Sequence, residues 1–512
     1  MRVGVIGGGV SGLVTAKVLR QDGFDVIVFE KEHTLGGVWA ASRAYPGLGT
    51  NNPRETYVFS DFPHADTTDE FPSARQVREY LGAYVEHAGL GPYIQLGTEV
   101  VAVTRRANEG DRAHSSFRIL ARPDGAGDQS YDVDFVVVCN GVLSEPHLPR
   151  FDGADRFAGA IIHSSQIPSA DSVRGKRVVV VGAGKSALDC ATFAGNEADA
   201  CTLVFRKPYW MLPRYFFGRT RVDKMLFSRW VELLTLPAYH ELSRAEAILR
   251  WVGMPLLPLQ WLFRALQHRI IAREAGIPDF MVPEQPIHAI IYHQGIGSEF
   301  YDSLRQGLVR AKRASIDTFV DEDRLRLDTG EEVEADVVIG ATGWRQSIDF
   351  LEPELQRQVR PDDRFRLYRH ILPPAEQRLG FVGYASSGNV PLTSEIAAHW
   401  LSQCWRGELA LPDAAEMEQS IDRVLAWTGT AFPEQKQGHF IGGYTPHYTD
   451  WLMRDLGLST RRCRGLASEW LGPVWAERYR GVTDERRRAR DDDAPRRRRA
   501  AGPRTRRRTP RR

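Results

Sequence analysis

Three groups of residues in this 512-residue chain have types and spacing suited to chemistry. The first is Gly7, Gly9 and Gly12, spaced G-x-G-x-x-G, with an acid, Glu30, closing the segment eighteen residues after Gly12. Gly7 suits a tight turn, Gly9 lets a pyrophosphate approach the backbone, and Gly12 lets a helix lie close on a strand. Unpaired N–H groups around Ser11, where that helix starts, then face the phosphates. A carboxylate at Glu30 accepts hydrogen bonds from a ribose 2′-hydroxyl and repels a 2′-phosphate. The expected ligand is therefore FAD or NAD rather than NADP.

The second group is Gly182, Gly184 and Ala187, with Lys185 and Ser186 between them. Aligning the two units places Arg206, followed by Lys207, where Glu30 stood. Cations there suit a 2′-phosphate, so this site is expected to prefer NADPH. The third group surrounds an amide, Asn51, in the loop YPGLGTNNPRETYVFSDFP from Tyr45 to Pro63. A loop this long inside a domain is usually functional or disordered. Its aromatics (Tyr45, Tyr57, Phe59, Phe62) argue against disorder.

Each glycine group needs a buried strand before it and a helix after it. The first has the strand Val3 to Ile6, the helix Ser11 to Arg20 and the strand Val26 to Phe29. The second has Arg177 to Val181, a helix from about Ser186, and Thr202 to Phe205. Between them the pattern predicts a helix over Gln76 to His87 and strands over Glu99 to Thr104, Ser116 to Leu120 and Phe135 to Val138. Strands over Ile316 to Val320, Arg324 to Leu327 and Ala335 to Ile339 repeat that run and read as a return to the first domain. A last core strand, Leu379 to Val382, precedes a helix, Leu392 to Arg406, whose start would face a flavin. Leu409 to Arg480 reads as mainly helical.

The expected fold is α/β, with two Rossmann-like dinucleotide-binding domains, the second inserted in the first, and a helical insertion at about 211–293. The expected bounds are 1–168 and 315–482 for the first domain with its C-terminal helices, and 169–314 for the second. A disordered Arg-rich tail is expected over 483–512.

Composition is that of an ordinary globular chain, with 42% apolar and 26% charged residues. The cysteines (Cys139, Cys190, Cys201, Cys404, Cys463) form no C-x-x-C, which argues against a disulfide framework, a metal site and a dithiol–disulfide reductase. A core strand at the N-terminus leaves no room for a signal peptide, so a cytoplasmic location is expected. The net charge of +2 divides into +10 over residues 485–512, with 14 Arg and 4 acids, and −8 elsewhere. That tail has no interleaved aromatics, so no nucleic-acid partner is expected. The apolar run Trp251 to Phe263 is broken by Pro255 and Pro258 and falls short of the roughly 18 residues that span a bilayer. It reads as an insertion packed on the core, with a substrate lid or peripheral membrane patch as the other reading. A homodimer is compatible with all of this.

Together the motifs resemble the flavin-containing monooxygenases, a branch of the class B flavoprotein monooxygenases. The resemblance covers about residues 1–210 and 310–410. It rests on the two glycine fingerprints, GGVW at Gly36 to Trp39, Thr50 to Pro63, ATGW at Ala341 to Trp344, and Phe157 to Pro168. The last is similar to the family's F-x-G-x-x-x-H motif at Phe157, Gly159 and His163. The implied cofactors are FAD and NADPH, with a small organic substrate and O₂ as partners. The implied FAD set is Gly7, Gly9, Ser11, Gly12, Glu30, Lys31, Gly37, Val38, Trp39, Thr50, Asn51 and Asn52. The implied coenzyme set is Gly182, Gly184, Lys185, Ser186, Ala187, Arg206, Lys207, Thr342 and Gly343.

The implied reaction is oxygen transfer from an FAD C4a-hydroperoxide to nitrogen or sulfur. A Baeyer–Villiger reaction on a ketone is the alternative, and a non-oxygenating FAD/NADPH redox-sensing module is a second. The family has Tyr or Phe four residues after the motif histidine and the Baeyer–Villiger branch has Trp; Ile167 here matches neither. Asn51 discriminates, because the Baeyer–Villiger branch has Asp there. Asn51 is the expected catalytic residue, its amide donating to the peroxide or to retained NADP; its plainer reading is an Asx-turn residue. His163 reads as a hydrogen bonder at a domain interface. Arg54 reads as a surface charge or a partner for an NADP phosphate.

Overall fold

Two five-stranded parallel sheets carry the two glycine turns. The computed structural model describes the chain except residues 107–115, 168, 254–265, 267, 286–294, 297–298, 434–436 and 501–512. The first sheet runs, edge to edge, Leu379–Phe381, Phe135–Val138, Arg2–Ile6, Asp25–Phe29 and Ile94–Gln95. The second runs Arg310–Arg313, Ala200–Phe205, Arg177–Val181, Val337–Gly340 and Ala160–His163. Segments such as FVVV and RVVVV show no polar alternation because parallel strands are covered on both faces. In each sheet the strand entering the glycine turn is central. Val3 pairs with Val26 and Phe135, and Val178 pairs with Cys201 and Val337.

These pairings correct the expected domain bounds. Val337–Gly340 lies between Arg177–Val181 and Ala160–His163, so Val337–Gly340 and Ala160–His163 both belong to the second unit. The antiparallel strands Ile316–Phe319, Arg324–Leu327 and Glu332–Glu334 go with it, since Phe319 and Leu325 share a core with Phe157, Val179 and Val338. The repeat was legible, but a repeat of the first domain's pattern is what a second domain also shows. The chain crosses between units where Glu145–Pro146 pairs antiparallel with Trp344–Arg345.

The helix Val390–Trp405 lies against the fingerprint helix Val10–Gln21 and is buried along nearly its whole length. Two polar residues on it, Glu395 and His399, are buried as well. Glu395 accepts from the N–H and hydroxyl of Ser60 (2.8 and 2.6 Å), which anchors the long loop. Within the expected helical insertion, Val222–Leu226 and Arg229–Thr235 are two separate helices. Ser228 interrupts them in extended geometry and caps the second, its hydroxyl accepting from the Val231 N–H. The run Trp251 to Phe263 falls largely outside the described residues. Among those described, no helix is long and apolar enough to cross a membrane.

The C-terminal segment departs from expectation. Val482–Ala500 is a helix rather than a disordered tail from 483. Its first turns have groups to bury: Val482 is buried, and Arg486 donates to Asp22 Oδ2 (2.7 Å) and to His399 Nδ1 (2.6 Å).

Candidate functional site

At the C-terminal ends of Arg2–Ile6 and Asp25–Phe29 a cleft of about 280 Å³ opens. Loops of a parallel sheet gather there, which is where such folds take ligands. Its walls include Gly7, Gly9, Ser11, Glu30, Lys31, Gly37, Val38 and Trp39. Gly7 has φ +111°, and a Cβ on it would stand 2.6 Å from the Cys139 carbonyl oxygen. Gly12 is not in the wall; a Cβ there would stand 1.8 Å from the Gly7 oxygen, so its role is helix-to-strand packing. Gly9 differs from both. A Cβ on it would meet nothing closer than Gly37 Cα at 3.5 Å, an ordinary contact. The protein itself does not demand glycine at position 9, and the turn is left open to a group approaching from the cleft. A dinucleotide pyrophosphate fits that description.

Glu30 is buried, with its carboxylate accepting the N–H of Gly8 at 2.6 Å and of Glu32 at 2.9 Å. Burial pushes its pKa up, while those two N–H groups pull it back. Each oxygen keeps acceptor capacity for a ribose hydroxyl. The wall also contains Arg43, Tyr57, Asn140, Gly383, Ser386 and Val390, which sequence reasoning did not assign to the site. For the last three the glycine–serine turn before the Val390 helix was a usable signal. Arg43 had none, because it sits in a loop with no spacing rule. Its guanidinium donates to the Leu143 carbonyl (2.6 Å) and lies 4.5 Å over the Trp344 ring.

The second turn has the same construction. Gly182 has φ +137°, and a Cβ there would stand 2.4 Å from the Ala341 oxygen. Nothing lies within 4 Å of a Cβ built on Gly184, the counterpart of Gly9. Ala187 is fully buried beneath the turn, and Ser186 is the second residue of the helix Lys185–Glu197 beside it. Lys185 is not aimed at solvent: its Nζ is 2.5 Å from Asp189 Oδ2. Arg206 and Lys207 are exposed at the end of Ala200–Phe205.

Thr342 and Gly343 directly follow Ala341, which abuts the second turn, and lie at the crossing between units. The Thr342 hydroxyl donates to the His147 carbonyl (2.5 Å), and the Gly343 carbonyl accepts the His147 N–H (3.0 Å). His163 packs edge-on against Trp344 with ring centroids 5.0 Å apart. Its Nε2–H donates to the Gly343 carbonyl (3.0 Å) and its Nδ1 accepts the Ser165 N–H (3.2 Å). Burial lowers its pKa, so the ring is neutral at pH 7. Ile167, which fits neither branch's aromatic, is buried in the second unit's core.

The loop Tyr45–Pro63 lies between the two turns. Tyr45 is buried in the core of the second unit, and its hydroxyl donates to Asp189 Oδ2 (3.0 Å). Tyr57, further along, is in the cleft wall and accepts the Trp39 indole N–H (2.7 Å). Thr50, Asn51 and Asn52 lie between those ends and none of them lines the cleft wall. The Thr50 hydroxyl is spent on the Asn52 carbonyl (2.7 Å), closing a turn, and Asn51 is half-buried on it. Arg54 is held by its own loop, donating to the carbonyls of Asp66 (3.1 Å) and Thr68.

Residues 1–254 and 281–447 match the family described as FMO-like, flavin-binding monooxygenase-like. The chain belongs to this family. Within it, a probable flavin-containing monooxygenase 1 from Arabidopsis thaliana is 28% identical, over 95% of this chain and 97% of that protein. An S-allyl-L-cysteine S-oxygenase from Allium sativum shares the fold with a TM-score of 0.60 and 21% identity, over 96% of this chain and 93% of the other. Cyclohexanone monooxygenase from Rhodococcus sp. Phi1, solved bound to NADP⁺, has a TM-score of 0.66 and 19% identity, over 89% and 97%. At those identities both structures speak to the fold. As a flavin-binding monooxygenase-like protein, the chain is a flavoprotein oxidoreductase.

Proposed function

We propose that the protein is an FAD-containing, NADPH- and O₂-dependent monooxygenase that adds one oxygen atom to a nitrogen or sulfur of a small organic substrate. The observation that carries this reading is the loop Tyr45–Pro63, which enters the second unit at Tyr45 and the cleft wall at Tyr57. A protein that only held two nucleotides would not need one loop shared between their sites. The first turn, with buried Glu30 and an open approach to Gly9, suits the adenosine ribose and pyrophosphate of FAD. The second, with Arg206 and Lys207 exposed beyond it, suits NADPH. FAD when bound supplies the store for NADPH's electrons and the C4a carbon at which O₂ is activated. In balance, NADPH, a proton, O₂ and substrate give NADP⁺, water and the oxygenated substrate.

The chain's own residues bind, orient and shield. Cys139 lines the cleft, yet burial pushes its thiol up to about 12, so it is a poor nucleophile, and as a free thiol it is already reduced. All five cysteines are free, which favours O₂ as the acceptor. The Trp39–Tyr57 pair closes the cleft wall against water. Asn51 contributes an uncharged donor, the choice that favours oxygen transfer to a soft nucleophile; an aspartate would favour attack on a ketone. The fold is shared with both an S-oxygenase and a cyclohexanone monooxygenase, so it leaves the chemistry open, and Asn51 supports the nitrogen- or sulfur-oxidising reading.

The test is Asn51→Asp. The variant is expected to keep FAD and to be reduced by NADPH, because Asn51 builds neither turn. Loss of one positioned donor near developing charge costs about 2.7–4 kcal/mol, so oxygenation should fall roughly 100- to 1000-fold while H₂O₂ per NADPH rises. A variant that couples NADPH to product like the parent would reduce Asn51 to a turn residue.

A further inference from the structure

The fingerprint cation Lys185 is tied to a carboxylate, and that carboxylate is tied to the other domain. Lys185 Nζ (2.5 Å) and the Tyr45 hydroxyl (3.0 Å) converge on one oxygen, Asp189 Oδ2. The Lys185 and Asp189 side chains are 14% and 10% exposed, so the pair is shielded from water rather than a surface ion pair. Asp189 sits one turn beyond Lys185 on the helix Lys185–Glu197, so the spacing is set by the helix itself. Tyr45 has a different origin. Its backbone belongs to the loop after Trp39, yet its ring lies in the second unit's core with Leu203, Trp210 and Phe300, and Leu48 and Phe71 pack beside it.

We propose that Tyr45 and Asp189 are positioning residues for the coenzyme step: Asp189 holds the Lys185 ammonium beside the Gly182–Ser186 turn, and Tyr45 fixes that carboxylate to the loop that also walls the flavin cleft. The proposal rests on the reading that the second turn takes NADPH. A phosphate arriving at the open face of Gly184 draws the ammonium away from Asp189. The carboxylate, nearly buried, then keeps, among the described residues, the donor that Tyr45 supplies across the domain boundary. The coenzyme turn and the Tyr57 end of the loop are thereby held in one register, with Asn51 between them.

Two measurements separate positioning from bulk stability: equilibrium binding of NADP⁺ by titration, and flavin reduction by saturating NADPH under anaerobic conditions. Tyr45→Phe keeps the ring and removes the tie. It should bind NADP⁺ within about threefold of the parent and slow flavin reduction about tenfold or more, a split that a merely structural role does not give. Asp189→Asn keeps an acceptor for Tyr45 and releases Lys185. It should tighten NADP⁺ binding several-fold, and that gain should shrink in a Lys185→Met background. Parental reduction rates in Tyr45→Phe, or an Asp189→Asn variant that binds NADP⁺ no more tightly than the parent, would overturn the proposal. A parent protein that does not bind NADP⁺ would instead overturn the reading of the second turn. If Tyr45→Phe does not fold, the Asp189 and Lys185 variants decide alone.

Discussion

Gly9 and Gly12 are three residues apart, and their substitutions should fail in different ways. A methyl on Gly12 enters the Gly7 carbonyl at 1.8 Å, beyond any ordinary contact. Gly12→Ala should cost at least the ~3 kcal/mol upper range for overpacking, seen as a lowered melting temperature even without flavin. A methyl on Gly9 has room in the protein and intrudes only on a ligand. Gly9→Ala should keep the parental circular dichroism and apo-protein melting temperature while FAD affinity falls about tenfold, or ~1.4 kcal/mol. Arg206 offers a second contrast at this scale. Removing a charge-assisted phosphate contact is worth about 1.5–3 kcal/mol, so Arg206→Glu should raise the KM for NADPH roughly 10- to 100-fold and that for NADH far less. Equal effects on both coenzymes would remove Arg206 from 2′-phosphate recognition. The glycines and Glu30 were legible because backbone geometry and charge act through fixed spacing. Arg43 and Asn140 were not, because they reach the cleft from loops whose paths depend on tertiary packing.

The helices of the insertion were less legible than the strands, and their attachment shows why. Arg229–Thr235 and Arg244–Gly253 bury charged groups against the C-terminal helix Thr445–Asp455, a pattern that helical periodicity does not announce. Arg229 makes a two-pronged ion pair with Asp450, at 2.5 and 2.8 Å. His447 stands between Glu232 and Glu246, with its Nε2 3.2 Å from the Glu246 carboxylate. The two acids outweigh burial and raise the His447 pKa to about 10, so the ring is an imidazolium at pH 7. A raised folded-state pKa contributes stability that is complete below about 6.5, the unfolded histidine value, and is lost as pH climbs through 10. The melting temperature should therefore fall between pH 7 and 10, and His447→Gln should flatten that slope. The variant leaves two carboxylates without their cation and should lose about 3–5 kcal/mol at pH 7. An unchanged slope would mean that the insertion is held by its apolar contacts alone.

Across the whole molecule, the two-unit plan and the crossing back were readable from the repeated glycine turns. The position of the crossing was not, because Ala160–His163 and Val337–Gly340 are short apolar strands that either sheet could use. The C-terminal segment was misread for a related reason: composition averages over the buried Val482 and Arg486 at its start. Truncation after Asp491 should leave the melting temperature unchanged. Truncation after Gly481 removes the partner of Asp22 and His399 and should cost about 3–5 kcal/mol. Equal stability of the two would return the segment to a dispensable tail. The proposed reaction passes electrons from one turn to the other and then to O₂. Its most direct measurement is turnover under ¹⁸O₂ with NADPH and a panel of amines, thioethers and ketones, counting labelled product and H₂O₂ against NADPH consumed. The expected result is an N-oxide or S-oxide carrying one ¹⁸O atom for each NADPH, with little H₂O₂. Labelled esters from the ketones, or NADPH consumption that yields only H₂O₂ with every substrate, would contradict it.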